Sequence, residues 1–116
     1  MSEALLEKLE NMGAEVGDTL KRLAGDEELY IKYLRELPDN KNIVELRRAV
    51  DDGDCERAMR EVHTLKGIAL NLGLLPLMDV CMDMLLDFRS GDNESALEQI
   101  DAVEEAFNEW SDAVKE

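Results

Sequence analysis

Ala96, Ile100, Val103, Phe107, Trp110 and Val114 follow one another at steps of 4, 3, 4, 3 and 4, the spacing of an apolar stripe along one face of a helix. It predicts one long helix opened by Asn93 as N-cap, with acids in its first turn. A second stripe, Cys55, Ala58, Val62, Leu65, Ala69 and Leu72, steps by 3, 4, 3, 4 and 3. Asp54 precedes it as a cap and Gly73 follows as the residue just past the end. Leu77, Cys81, Met84 and Phe88 place a third helix, starting at Pro76 and stopping before Ser90-Gly91-Asp92. Ile43, Leu46 and Val50 mark a fourth, ending at Asp51-Asp52-Gly53-Asp54. Only Gly73 to Leu75 separate the second and third, and so short a link forces antiparallel neighbours.

Upstream, Leu5, Leu9 and Met12 make one short amphipathic piece, and Val16, Leu20 and Leu23 another. A further helix runs from about Asp26 through Tyr30, Tyr33, Leu34 and Leu37 to Pro38. No segment alternates with period two, so no strands are predicted. The expected fold is all-α: an antiparallel up-and-down four-helix bundle over about residues 41–115, with short N-terminal capping helices over about 2–37. Together they form a single domain, residues 1–116.

Composition agrees with a self-sufficient core. Of 116 residues, 45% are hydrophobic, and a chain of this size buries roughly two-thirds of its unfolded surface without help from a disulfide or metal. Cys55 and Cys81 are too few for a disulfide framework, and with one histidine they make a poor zinc site. They read as small hydrophobes on core stripes. No apolar run approaches the ~20 residues of a membrane span. Met1-Ser2-Glu3-Ala4-Leu5 has neither the basic nor the apolar region of a signal peptide, so the cytoplasm is expected.

Charge narrows the partners. Thirteen Lys+Arg against 28 Asp+Glu give a net charge of −15, which argues against nucleic acid and anionic membrane. The excess is uneven. From Asp92 to Glu116 nine acids face Lys115 alone, whereas from Cys55 to Gly73 the balance is +1. That less acidic helix holds the only histidine.

At about 100° per residue, His63 points well over 100° from the centre of its helix's apolar stripe, toward solvent. Met59 and Arg60 share its face one turn before, Lys66 and Gly67 one turn after, and Leu70 two turns after. Glycine costs a helix interior up to ~1 kcal/mol against alanine, so Gly67 mid-helix calls for a reason. The set combines a reactive imidazole, a cation to steady an anion, and a clearing where another protein can approach. Met78, Met82 and Met84 read as core or flank filler, with Met82 edging the docking surface.

His63-Thr64-Leu65-Lys66-Gly67, followed by Asn71-Leu72-Gly73, resembles the signature of the histidine-containing phosphotransfer (HPt) domains, H-x-L-K-G with a second glycine six residues later. Leu23 to Tyr30 resembles the family's N-terminal entry, and Asp52-Gly53-Asp54 the turn before its histidine helix. The four-helix bundle expected above is that family's fold.

The resemblance implies that His63 accepts a phosphoryl group from an aspartyl-phosphate on a receiver domain and returns it to another receiver's aspartate. Receivers of response regulators or hybrid histidine kinases are the implied partners, and a monomer is expected. Imidazole offers a free lone pair near neutral pH, so no strong base is needed, and Nε2 is the sterically open nitrogen. Lys66 would neutralise charge on the transferring group, whose transition state asks mainly for positioning and electrostatics. Gly67, Leu70, Met59, Arg60, Met82 and Leu85 are the expected docking face. No cofactor is expected, with Mg²⁺ belonging to the receiver alone. No nucleotide-binding glycine loop is present, so the chain reads as a carrier and not as an enzyme with its own ATP site. The alternative is a non-transferring helical adaptor docking through the same face. In many relatives the next helix carries a polar residue, often Gln, beside the histidine. Ungapped alignment puts that position at Leu85, next to His63.

Overall fold

The computed structural model describes residues 2–115. In chain order the elements are α1 (Ser2–Asn11), α2 (Val16–Arg22), α3 (Glu27–Arg35), a 3₁₀ turn (Leu37–Asp39), α4 (Asn42–Asp51), α5 (Cys55–Leu72), α6 (Leu75–Arg89), α7 (Asn93–Glu98) and α8 (Ile100–Lys115). There is no strand among the described residues, and Ala14 and Leu74 form an isolated antiparallel bridge.

Aspartates set three of the helix starts. The carboxylates of Asp26, Asp54 and Asp92 accept from the backbone N–H of Leu29, Arg57 and Ser95 at 3.0, 3.1 and 3.1 Å, each satisfying a donor that has no partner inside its helix. Asp92, not Asn93, is therefore the cap of α7. Pro76 is the second residue of α6 and not its first, because Leu75 already has helical geometry.

The predicted long C-terminal helix is two helices. Gln99 ends α7 with φ −81° and ψ −1°, and its N–H bonds back three residues to Ala96 O at 3.1 Å, a local 3₁₀ tightening. Its side-chain amide meanwhile donates to the Asp87 carboxylate, tying the break to α6. The apolar stripe crosses the break intact, and Ala96, Ile100, Val103, Phe107, Trp110 and Val114 are all buried.

Packing runs from α4 to α5 to α6 to α8 and back to α4, an antiparallel helical bundle. At 1.5 Å per residue, α4 is only about 15 Å long against about 27 Å for α5. The shortfall is made up by α3 and the 3₁₀ turn, which pack on α8, with α3 also touching α5. The N-terminal region thus completes one wall as well as capping an end. Val62, Leu65, Ala69, Met84 and Val103 have no exposed surface, and truncating Leu65 to alanine would cost roughly 2–5 kcal/mol. Polar links stitch the rim. Asn42 donates to Glu61 at 2.9 Å, Arg57 pairs with Glu45, and Arg47 reaches Asp101 and Glu104 at 3.2 and 3.1 Å.

Candidate functional site

Helix α5 carries the site, and its residues sort by angle. Ala58, Val62, Leu65, Ala69 and Leu72 are buried, whereas His63, Arg60 and Leu70 are exposed and Met59, Lys66 and Gly67 half-buried. His63 sits midway along the helix with its ring in solvent. Lys66, one turn on, has no ion pair among the described residues, so its ammonium is uncommitted. Arg60 lies 3.9 Å from Glu56 across an exposed i,i+4 spacing, a contact worth little in water.

Gly67 faces open space: a Cβ built there meets nothing within 4 Å. Packing therefore does not require a glycine at this place. What its lack of a side chain provides is a gap beside His63, one turn along the same face.

On α6, Asp87 turns toward α7, where its carboxylate accepts from Ser95 Oγ at 2.7 Å and from Gln99. The opposite flank, about 140–180° round, carries half-buried Met82 and Met78. Met82 thus borders α5 on the His63 side. Leu85 does not join that surface. It is 1% exposed and belongs to the core with Leu77, Cys81, Met84 and Phe88. The exposed leucine is its neighbour Leu86, at 53%, beside 45% for Leu70 on the His63 face of α5.

The reason Leu85 misses the site is angular. Val62 lies about 30° past the centre of its stripe, so one further step carries His63 about 130° out. Met84 lies about 30° short of its own centre, so the same step takes Leu85 only about 70° away, inside the buried arc. Leu86 lies about 170° out. The run Met84-Leu85-Leu86 held this information, because the stripe's centre tells these leucines apart where a match by residue order does not.

The end of α5 is held from outside. A helix leaves its last carbonyls without partners, and here the N-terminal segment supplies them. Arg22 Nη2 donates to Leu70 O at 3.1 Å and to Asn71 O at 3.2 Å, Tyr30 Oη donates to Leu72 O at 2.7 Å, and Glu15 N donates to Gly73 O at 2.8 Å. Burial raises the pKa of the Tyr30 phenol, with Thr19 and Arg22 pulling the other way. Gly73 turns the chain with φ +74°, and its missing Cβ would collide with Thr19 Oγ1. None of these partners was singled out from sequence, and only Gly73's turn was legible there.

Among the described residues no group of three or more His, Cys, Asp or Glu side chains is placed to hold a metal ion, and no helix is long and apolar enough to cross a membrane. An exposed histidine at mid-helix, without a bonding partner among the described residues and flanked by a lysine and a cleared glycine, defines a helical-bundle protein with a surface histidine site. The model of the Hpt domain family matches residues 28–113, and the chain belongs to that family. No curated protein and no solved structure matches it.

Proposed function

We propose that the chain is a phosphorelay intermediate that carries a phosphoryl group on His63 between the aspartates of receiver domains. Membership of the Hpt family ties it to phosphotransfer in two-component signalling. The observation that carries the finer reading is the exposed His63 ring with uncommitted Lys66 and open Gly67 one turn away on one helix face.

In the forward step, His63 Nε2 attacks the phosphorus of an aspartyl-phosphate. An N–P bond forms, the acyl O–P bond breaks, and the receiver's carboxylate leaves with the bond's electron pair. The second step reverses this onto another receiver's aspartate. Transition-state charge lies on the three equatorial oxygens, and Lys66, one turn beyond His63 with no ion pair among the described residues, is the cation assigned to neutralise it. Mg²⁺ is assigned to the receiver, and no ATP chemistry to this chain. Leu70, Leu86, Met59 and Met82 form the apolar ring on which a receiver seats, with Arg60 at its rim. Receivers work in the cytoplasm, which this reading makes the compartment of action.

Incubation with a receiver phosphorylated on aspartate tests the proposal. Label is expected to move onto this chain as an acid-labile, alkali-stable adduct and to be absent from His63→Gln. Label retained by that variant would overturn the assignment. Receiver binding without any transfer would leave the adaptor reading in its place.

A further inference from the structure

The family match begins at residue 28, yet Arg22, which lies before it, holds two carbonyls at the end of the helix that bears His63. One of those carbonyls belongs to Leu70, a residue 45% exposed on the His63 face. We infer that Arg22 is a positioning residue for the docking face: by fixing the last turn of α5 it fixes Leu70, and so sets how tightly a receiver seats. This rests on the relay reading given above.

Two routes from Arg22 to the site compete, and distance separates them. Leu70 is seven residues beyond His63, which puts the Arg22 guanidinium about 10 Å or more from the imidazole along the axis. Exposed charges are largely screened beyond about 8 Å at physiological ionic strength, and helix-end electrostatics fade within the last turn. A direct electrostatic effect on the phosphorylated ring is therefore small. The mechanical route is short. Asn71 O accepts from Arg22, and Leu70 O accepts from Arg22 together with Gly73 N at 3.1 Å. Helix ends fray when such groups lack partners. Arg22 is itself held, donating to buried Thr19 Oγ1 at 3.3 Å while that hydroxyl donates to Glu15 O at 2.7 Å.

The test is single-turnover transfer from a phosphorylated receiver over a range of receiver concentrations. Arg22→Ala should raise the half-saturating concentration about three- to tenfold, the span of one net hydrogen bond, with the saturating rate held within about twofold. Arg22→Lys, which keeps a cationic donor, should recover most of the loss. Leu70→Ala should also raise half-saturation, and the Arg22→Ala/Leu70→Ala pair should cost no more than Leu70→Ala alone, because coupled residues are not additive. Circular dichroism of each variant checks that the bundle is intact. An unchanged half-saturation in Arg22→Ala, a fall in the saturating rate alone, or multiplicative costs in the pair would overturn the positioning role. Absence of transfer by the unsubstituted chain would instead overturn the relay reading, and this inference with it.

Discussion

The hydroxyl of Tyr30 donates to the carbonyl oxygen of Leu72 across 2.7 Å, joining α3 to the end of α5 through a buried bond between residues 42 apart in the chain. Tyr30→Phe keeps the ring and orphans that carbonyl, so a loss of about 1–3 kcal/mol is expected in denaturant unfolding. The phenol's pKa is raised from 10.0 by burial. Above pH 10 the unfolded chain loses a proton that the native state retains, so the native state binds more protons and stability falls with rising pH. Below pH 10 this contribution is fully present. Stability curves of the two proteins should therefore converge as pH rises above 10, and a constant gap would refute the linkage.

Cys81 opens a separate alkaline window. Burial pushes its thiol up to about 12 from 9.0, with the same sign: stability is complete below pH 9 and falls through the window up to about pH 12. The slope approaches ~1.4 kcal/mol per pH unit at most. Between pH 9 and 10, before Tyr30 contributes, Cys81→Ala should flatten the decline while lowering the plateau through its cavity. Thiol-reagent labelling at pH 8 should modify half-buried Cys55 well before Cys81.

Gly67 offers open space and ordinary helical backbone. Gly67→Ala should therefore stabilise the protein by up to ~1 kcal/mol, and Gly67→Gln should fold at least as well while losing receiver binding. Thermal unfolding and a receiver titration on one preparation check both. Clear destabilisation by alanine would mean that packed neighbours face this position.

Lys66 has no ion pair to lose among the described residues. Lys66→Ala should change stability by about 1 kcal/mol or less while slowing phosphoryl transfer. Transfer at the original rate would return Lys66 to an ordinary surface charge.

Leu85 and Leu86 separate core from surface within two residues. Leu85→Gln places an amide where 1% of the residue is exposed, and a loss of about 2–5 kcal/mol is expected. Leu86→Gln should stay within about 0.5 kcal/mol of the parent and weaken receiver binding through lost apolar contact. Equal stability of the two variants would contradict the angular assignment of α6.

Much of this architecture was legible because a helix writes its own geometry into local spacing. The limits of α5, its Asp54 cap, its Gly73 terminus and the outward direction of His63 all follow from a 3.6-residue period and from residue chemistry within one segment. The same signals left two boundaries short. Asp92 and Asn93 are both good caps, and the break at Gln99 goes with a side-chain bond from its amide to Asp87 on another helix.

Local spacing and residue chemistry suffice to fix which faces are apolar, where the chain turns, and that a lone histidine, a lysine and a glycine share a solvent-facing strip. Relations between helices come instead from packing between distant segments. Arg22, Tyr30 and Glu15 converge on the end of α5 from residues more than 40 positions away. Periodicity fixes angles within a helix and carries no information about the rotation of one helix against another, which the shared burial of their stripes sets.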